Sequence, residues 1–507
     1  MAQGVLPFQY EIEKSPSGMT ALAGLPAYLD LALVSGLTKS IQRRLLVLSA
    51  QSQGWTDVQI VMSLILLNLA GGNCVDDLRV LEGDEGFARI MRRVEAESHG
   101  LSRKERRELE RRWRKEQKRA VPSPSPVFRY LSLFHDPEQD KKREAGKAFI
   151  PDQNEYLQGL HLVNRDLVAF AQAKSPQQTA TLDMDATLVE THKKDALYGY
   201  KGFKAYQPLN TYWFEHGMVL HSEFRDGNVP AGHQQIRVFQ ESLACLPETV
   251  SKAYLRSDTA GYQWELMRFC AEGKDERFGV IEFAIGSDVT PEFKRAVAQV
   301  EASDWTPLYR EFNKEQVKTG QEWAEVCFVP AGMGSSKKGP EYRYLAIREV
   351  LKEQTLPGIE QVQLPFPTMD FDKTRYKLFG VVTNRTVPGQ ELIDWHRERC
   401  GKSEEAHSIM KEDLAGGKLP SGSFGENAAW WIIMILSLNL NAIMRRLVLP
   451  KEWVGKRMKA IRFGFINIAG RVIKHAGQLF MRLSGGHPSA NLLIAARQRI
   501  LALAQAP

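Results

Sequence analysis

The chain has 507 residues, of which 43% are hydrophobic and 25% are charged. This composition excludes a disordered chain and is typical of a globular protein with a large buried core and more than one domain. The formal net charge is +7. A basic balance of this kind suits a polyanionic partner, but ribosomal and membrane-surface proteins share it.

Five cysteines are spread along the chain without a CxxC pair, so neither a thiolate zinc site nor a disulfide framework is indicated. The first residues lack the basic start and apolar core of a secretory signal. The longest apolar run, Ala428 to Leu440, is shorter than the roughly 20 residues that span a bilayer. We therefore expect a buried helix there, no membrane association and a reducing, cytoplasmic location.

The N-terminal part shows helical patterns. Thr56 is expected to cap a helix that stops at the Gly71-Gly72 pair. The stretch from Arg103 to Arg119 holds ten basic and four acidic residues. Such a run is most often a solvated helix face. The more specific alternative is that it contacts a DNA backbone. The prolines of Val121 to Pro126 cannot continue a helix, so this segment predicts a linker.

Strand patterns begin at about Thr179. In TATLDMDATLVE, apolar and polar residues alternate, as expected of a strand with one buried face. Similar pieces follow, interrupted by one helical segment, GHQQIRVFQESLACLP. From about Gly279 to Asp394 the chain consists mostly of short β-prone segments separated by Pro and Gly turns. Helical periodicity returns near Glu391 and lasts to about Leu414.

Acidic side chains stand where several of these elements end. Asp183 and Asp185 share one face of a strand, about 7 Å apart. Asp258 closes the strand AYLRSD, and Glu404 shares a helix face with Lys411. Carboxylates gathered at strand ends bind hard cations such as Mg²⁺, which can assist phosphoryl transfer. Taken singly, however, each acid is more often a turn-former, a helix cap or a solvated residue.

Four blocks in this order resemble DDE transposases of bacterial insertion sequences, specifically the thirteen-eighty branch of the insertion-sequence-four-like group. The blocks are LDMDATLVETHKKDALYGYKGFKAYQPL, HSEFRDGN, YLRSDTAGY and RCGKSEEAHSIMKEDLAGGKLPSGSFGENAAWW. The likeness runs from about Thr179 to Ser484. It implies an α/β fold in which an RNase H-like mixed-sheet catalytic core carries a β-rich insertion and follows a helical N-terminal region.

The resemblance also implies roles for individual residues. Asp185, Asp258 and Glu404 correspond to the catalytic, metal-binding carboxylates, with Mg²⁺ as the expected ion and Mn²⁺ as a substitute. Asp183 is expected to be a supporting acid beside them.

The wider group has a Tyr-x2-Arg-x3-Glu-x6-Lys signature, which Glu404 and Lys411 match. Lys411 is therefore expected to contact a DNA phosphate. Cys400 occupies the Arg slot and Arg397 the Tyr slot, which leaves open whether Arg399 or Arg397 contacts DNA.

The expected organisation has five segments. They are a helical DNA-binding region (1–121), a linker and helical connection (122–178), the first part of the catalytic core (179–278), the β-rich insertion (279–394) and the second part of the core with a basic C-terminal region (395–507). Four arginines of the basic run are expected to contact DNA: Arg106, Arg107, Arg111 and Arg114.

The expected function is DNA transposition in a bacterial cytoplasm, at the nucleoid. Two divalent ions held by the three carboxylates would assist water in nicking the element end, and the freed 3′-hydroxyl would attack the other strand or the target DNA. The expected partners are double-stranded DNA, as terminal inverted repeats and target, and a second copy of the chain in a homodimer. The wider group suggests a hairpin route.

Two alternatives stay open at this stage. DMDATLVE also resembles the nucleophile loop of haloacid-dehalogenase-like phosphatases, with Asp183 as nucleophile and Asp185 as acid/base. That loop normally opens its domain, whereas here about 180 residues precede it. The other alternative is a transposase-derived DNA-binding protein that no longer catalyses.

Overall fold

The computed structural model describes most of the chain. The described residues are 17–48, 54–98, 119–144, 146–312, 315–330, 342–351, 366–371 and 374–505. They form two compact units. The helical unit comprises the chain up to Asp136, Gln153–Leu167 and Glu412–Pro507, and the sheet unit comprises Pro137–Asp152 and Val168–Lys411.

The division into units differs from the five segments expected in chain order. Residues from Glu412 onward belong to the same unit as the N-terminal helices, not to the unit that holds the large sheet. This grouping results from burial, since helices that are far apart in the sequence cover one another's apolar faces.

Two long helices form the centre of the helical unit, Asp57–Ala70 and Phe424–Ile443. Thr56 caps the first through a capping box, and Gly71, in the left-handed conformation, ends it, as the sequence predicts. Every residue of the second except Glu426 is buried, which confirms the buried helix expected there. Its polar groups find partners, since Asn439 Nδ2 donates to Asn164 Oδ1 at 2.7 Å.

The segment Phe424–Val448 is long and apolar enough to span a bilayer by length and composition, but its apolar stretch of 18 residues is entirely buried inside the protein. A second segment of the described residues passes that test only if the bent pair Asp57–Ala70 and Val75–Gly83 is counted as one span. Burial of this kind is typical of a core helix.

The proline-rich segment is not the linker that the sequence predicts. Pro124 is the first residue of a helix, Pro124–Ser132, and Val121 is buried. Proline is well suited to the first turn, because its missing N–H has no partner there in any helix. The other helices of this unit are α1 (Pro26–Val34), α2 (Leu37–Arg44), α4 (Leu78–Gly83), α5 (Glu85–Ser98), α14 (Met458–Ile461) and α15 (Ala490–Gln505). With α3 (Asp57–Ala70), α6 (Pro124–Ser132) and α13 (Phe424–Ile443), they are numbered in chain order.

A small antiparallel sheet completes the helical unit. Its strands are β1 (Met19–Thr20), β15 (Gly470–His475) and β16 (Gln478–Leu483), in the order β1-β15-β16.

The sheet unit is built on a five-stranded mixed sheet. Its strands are β2 (Thr179–Ala186), β6 (Leu209–Trp213), β7 (Met218–Glu223), β8 (Lys252–Ser257) and β9 (Glu282–Ser287). Their order is β7-β6-β2-β8-β9, and β6 alone runs antiparallel to the other four. This order and these directions are those of an RNase H-like core.

An antiparallel β-rich addition extends the core beyond β9. Its strands are β10 (Thr306–Phe312), β11 (Glu315–Val326), β12 (Arg343–Val350), β13 (Thr368–Phe371) and β14 (Thr374–Thr383), and β14 pairs with β9. Because β9 pairs in parallel with β8, it belongs to the core. The addition therefore starts after β9, later than the boundary expected at Gly279.

Helix α12 (Gly389–Ser408) follows the addition and continues into one π-helical turn, Ile409–Asp413. Its first turns pack through Leu392 and Ile393 against the apolar face of the addition and β9. A Cβ atom at Gly389 would lie 2.2 Å from the Trp323 ring, so the helix start and β11 touch closely. These contacts place α12 on the sheet that carries the aspartates.

The remaining elements of the sheet unit are short. They are α7 (Pro137–Lys141), α9 (Gln235–Cys245), α10 (Trp264–Ala271), α11 (Pro291–Val297), β3 (Val189–Glu190), β4 (Leu197–Tyr198) and β5 (Lys204–Tyr206). Helix α8 (Glu155–Lys174) lies partly in each unit.

Candidate active site

Two aspartates lie side by side at the carboxyl ends of neighbouring parallel strands. Strands β2 and β8 pair with Met184 opposite Ser257, so Asp185 and Asp258 occupy the next position of each. Burial raises the pKa of Asp258, and the negative charge of Asp185 raises it further. The site therefore concentrates like charges, which a bound cation would relieve.

Asp258 also shapes the backbone that follows it. Its Oδ1 accepts a hydrogen bond from the Ala260 amide at 3.0 Å and caps the short 3-10 turn Thr259–Gly261. The cap orients the carboxylate at the end of β8, as expected from its position beside a turn.

Asp183 lies on the same strand as Asp185 but has a different role. It is fully buried, and Arg256 donates from Nε to its Oδ1 at 2.6 Å and from Nη2 to its Oδ2 at 2.9 Å. Burial raises the pKa of Asp183, whereas the hydrogen bonds and charge of Arg256 lower it. Both carboxylate oxygens are thus engaged by one guanidinium.

Arg256 also reaches helix α12. Its Nη1 donates to the Trp395 carbonyl at 2.6 Å and to Glu398 Oε2 at 3.1 Å. Its guanidinium lies over the Phe214 ring, 4.4 Å from the centroid. One buried side chain therefore joins the central strand to the helix that carries Glu404.

Arg399 brings a positive charge from α12 to the aspartates. Its Nη1 lies 3.4 Å from Asp185 Oδ2, and its side chain is 9% exposed. It lowers the pKa of Asp258, against the effects of burial and of Asp185. Its Nε is buried without a hydrogen-bond partner among the described residues.

His407 lies against Asp185 one helical turn after Glu404. Its Nδ1 is 3.7 Å from Asp185 Oδ2, and Asn210 Nδ2 lies 3.2 Å from its Nε2. Burial, together with the charges of Lys411 and Arg399, lowers the pKa of His407 to about 3. The ring is therefore neutral, and the amide of Asn210 donates to Nε2, which leaves the ring proton on Nδ1 facing Asp185.

Asn210 is held in turn by its own neighbour. Its Oδ1 accepts from Ser222 Oγ at 2.7 Å, which fixes which end of the amide faces His407. A chain of polar contacts thus runs from β7 through β6 to His407 and Asp185.

The remaining sequence-predicted residues of the sheet unit lie on α12 and the turn after it. Glu404 is exposed, and Lys411 Nζ donates to the Leu188 carbonyl at 3.3 Å, just beyond Asp185 in the chain. Arg397 Nη2 donates to Gln321 Oε1 on β11 at 2.7 Å. Within the described part of the chain, no three His, Cys, Asp or Glu side chains are grouped closely enough to hold a metal ion.

Sequence analysis did not single out Arg256, Asn210 or His407. Spacing carries no signal for them, because their partners lie on other strands or on α12. Only the alternation of polar and apolar residues along β2 indicated such a contact, because a buried Asp183 requires a cationic partner. The arginines of the basic run, Arg106 to Arg114, lie outside the described residues.

Comparisons with known proteins bear on the family of this chain. A family model described as "Transposase DDE domain group 1" matches residues 17–505. The comparison with curated proteins gives no match. A cryo-EM structure of a piggyBac transposase synaptic complex with hairpin DNA is similar at 10% sequence identity with a TM-score of 0.44, covering 95% of this chain and 82% of that one.

Proposed function

The chain belongs to the family of transposase DDE domains, group 1, and from this membership we propose which of its residues cut and join DNA. It is a DNA transposase, and members of this family use divalent metal ions. We propose that Asp185, Asp258 and Glu404 are the three catalytic carboxylates and that Mg²⁺ is the ion. The adjacency of Asp185 and Asp258 at two parallel strand ends is the observation that carries the proposal.

The chemistry of the donors suits the ion. Carboxylate oxygens are hard ligands of the kind that Mg²⁺ prefers, and the mutual repulsion of the aspartates favours a cation between them. When bound, divalent ions stabilise the charge on the attacking and leaving oxygens of phosphoryl transfer. The described residues do not group Glu404 with the two aspartates, and its assignment is supported by the motif and by its place three residues before His407, which contacts Asp185.

The charged side chains around the three carboxylates are proposed to have separate roles. We propose that Arg399, whose Nη1 lies 3.4 Å from Asp185 Oδ2, contacts a phosphate oxygen beside the carboxylates, while Arg397 contacts the backbone farther along the strand. Lys411 is proposed to contact a phosphate at the DNA end. Asp183 is proposed to support the site through Arg256 without binding metal.

Recognition of DNA and assembly of the protein on DNA are proposed to involve residues outside this site. We propose that the region before about Pro122, with Arg106, Arg107, Arg111 and Arg114, binds the terminal inverted repeats. Further proposals are cleavage by a hairpin route, a homodimer on DNA and membership of the thirteen-eighty branch of insertion sequences. The motif blocks of the sequence support the last of these.

The phosphatase interpretation of the aspartate pair is wrong. A nucleophilic Asp183 would need an accessible oxygen, whereas both of its oxygens bond Arg256 and its side chain is fully buried. The family match over residues 17–505 points to DNA as well. The intact Asp185, Asp258 and Glu404 favour an active enzyme over a binding protein without catalysis.

A cleavage assay with labelled duplexes tests the proposal. The duplexes carry the DNA that flanks the coding sequence, including each terminal repeat, and the reaction contains Mg²⁺. We expect Asp185→Asn, Asp258→Asn and Glu404→Gln each to remove strand cleavage and to leave DNA binding nearly intact, because a neutral amide cannot hold the ion.

Glu405→Gln is the matched control, since Glu405 is the next acid on the same helix and is not proposed to bind metal. It should cleave like the unmodified protein. Normal cleavage by Glu404→Gln, or loss of cleavage in Glu405→Gln alone, would contradict the assignment of the third carboxylate.

A further inference from the structure

A groove of about 600 Å³ opens beside helix α12 in the sheet unit. It is lined by residues from three segments, namely the end of β6, strand β10 of the β-rich addition and α12. The lining residues are Phe214, Arg310, Arg397, Glu398, Gly401 and Lys402. The volume lies within the range of about 300–1,000 Å³ that is usual for ligand sites.

The groove carries an excess of positive charge. Arg310, Arg397 and Lys402 face it, and Glu398 is its single acidic lining residue. Glu398 does not cancel this charge fully, because its Oε2 already pairs with Arg256 Nη1 at 3.1 Å. The groove therefore suits a ligand with more than one negative charge.

Two of the cations are held in place by contacts of their own. Arg397 is fixed at one wall by its hydrogen bond to Gln321 on β11. Lys402 Nζ lies 3.8 Å from the centroid of the Phe214 ring, which holds the ammonium group over the aromatic floor. Such preorganised cations lose little entropy when they bind an anion.

The helix surface between the cations is bare. Gly401 has no side chain, and a Cβ atom there would meet no other atom within 4 Å. A ligand can therefore approach the backbone of α12 closely at this point.

The groove lies next to the proposed catalytic glutamate on the same stripe of α12. Arg397, Gly401 and Glu404 recur at spacings of four and three residues, which places them on one face of the helix. At 1.5 Å per residue, Gly401 lies about 4.5 Å and Arg397 about 10 Å before Glu404 along the axis. Because each strand of a DNA duplex carries a charge about every 3.4 Å of its axis, the groove covers roughly one to three nucleotides.

We propose that this groove binds the sugar–phosphate backbone of the DNA strand within about three nucleotides of the phosphate that is cut. Arg310 and Lys402 supply the charge, and the groove positions the strand along α12 toward Glu404. This inference rests on the proposed function, since Glu404 marks the cutting site.

The first experiment compares DNA binding by two double variants of the full chain. Arg310→Ala with Lys402→Ala removes two groove cations, and Arg295→Ala with Lys274→Ala removes one arginine and one lysine from exposed positions elsewhere in the sheet unit. Affinity for the labelled end duplex is measured over a series of salt concentrations. The groove variant should bind about tenfold more weakly, and its slope of log affinity against log salt should be smaller by about 1.8, at about 0.9 per lost phosphate contact. The control should match the unmodified protein.

The second experiment places one uncharged methylphosphonate at successive positions of the duplex. In the unmodified protein, affinity should drop at one or more positions within about three nucleotides of the cut. The groove variant should show no further drop at those positions, because two changes that remove the same contact do not add. Inorganic phosphate, added at the same ionic strength as chloride, should compete no better than chloride, since the groove holds a strand and not a single anion.

Several outcomes would overturn the groove proposal. They are unchanged affinity and salt slope in the groove variant, equal losses in the control variant, additive methylphosphonate effects, or selective competition by inorganic phosphate. The Glu404→Gln assay separates this from a failure of the proposed function. If Glu404→Gln stops cleavage while the groove variant binds normally, the groove proposal fails and the carboxylate assignment stands. If the groove variant loses those phosphate contacts while Glu404→Gln cleaves normally, the carboxylate assignment fails and the groove remains a strand-binding site.

Discussion

Arg256 binds both carboxylate oxygens of Asp183 in the centre of the sheet unit, and neither side chain is exposed to solvent. The pair connects β2, which ends at the proposed metal site, with β8, which precedes Asp258. Through the Trp395 carbonyl and Glu398, the same guanidinium holds α12. The charges that stabilise the sheet thus also set the distance between the aspartates and the glutamate-bearing helix.

Removing one partner of this pair should destabilise the protein more than it impairs the chemistry. Asp183→Asn leaves Arg256 buried without its main counter-charge, so we expect the free energy of unfolding to fall by about 3 kcal/mol. Denaturant unfolding followed by tryptophan fluorescence measures this loss. Variant protein that remains folded should still cleave DNA, unlike Asp185→Asn.

The control for that prediction is the double variant Asp183→Leu with Arg256→Met, which replaces the pair with apolar side chains. It should be more stable than Asp183→Asn, because no buried charge is left unpaired. A double variant that is less stable than Asp183→Asn would show that the unpaired charge of Arg256 is not the cause of the loss in the single variant.

Mg²⁺ should stabilise the protein through the aspartates. Because Asp185 and Asp258 repel each other and Asp258 is buried, Asp258→Asn should raise the melting temperature in the presence of a chelator. Added Mg²⁺ should raise the melting temperature of the unmodified protein but not that of the variant, since a ligand stabilises the state that binds it. Equal shifts in both proteins would place the ion elsewhere.

His407 is expected to position Asp185. His407→Gln, which keeps polarity but loses the ring, should raise the Mg²⁺ concentration needed for half-maximal cleavage by about tenfold, as is typical of residues that orient metal ligands. DNA binding should not change. Titration of cleavage against Mg²⁺ measures the effect, and a lower rate at an unchanged Mg²⁺ requirement would indicate a purely structural role.

His221 should make stability depend on alkaline pH. It is buried on β7, which lowers its pKa, but hydrogen bonds with Cys245 and Glu241 raise the pKa to about 9. The pKa of Glu241 falls to about 2, because His221 and Arg237 outweigh its burial. The folded state therefore keeps a proton that the unfolded state, with an ordinary histidine pKa of 6.5, has lost.

This difference in the pKa of His221 between the folded and unfolded states sets the direction of the pH dependence. The contribution of His221 is fully present below about pH 6.5 and is lost as the pH rises through about 9. We expect the free energy of unfolding to decline over this window and His221→Gln to remove that part of the decline. An unchanged profile in the variant, measured by denaturant unfolding at several pH values, would show that other groups cause it.

The basic run should recognise the terminal repeats. Truncation is a poor test, because residues from Glu412 onward belong to the unit formed by the N-terminal helices. Four Arg→Gln changes in the full chain avoid this problem: Arg106, Arg107, Arg111 and Arg114. They should weaken binding to the repeat duplex and lower its salt dependence by about 0.9 per phosphate contact.

The control exchanges four exposed basic residues of the helical unit: Lys39, Arg79, Lys418 and Lys451. It should bind normally. Full affinity and selectivity in the variant of the basic run, measured by fluorescence anisotropy, would contradict its proposed role.

Local patterns in the sequence were sufficient for several of the elements and for the family. The alternation around Asp185, the cap at Thr56 and the apolar run from Ala428 depend on neighbours only a few residues away, so the sequence alone predicts them. The motif blocks around Asp185, Asp258 and Glu404 indicated a transposase for the same reason. These features lie within single segments of the chain.

Tertiary structure decided everything that joins distant segments. It assigned β9 to the core, because that strand pairs with β8, and it grouped the residues after Glu412 with the N-terminal helices. It also gave Asp183 a partner in Arg256 and placed His407 against Asp185. Such contacts are set by packing and by the need to pair buried charges, which act through space and leave no periodic mark in the sequence.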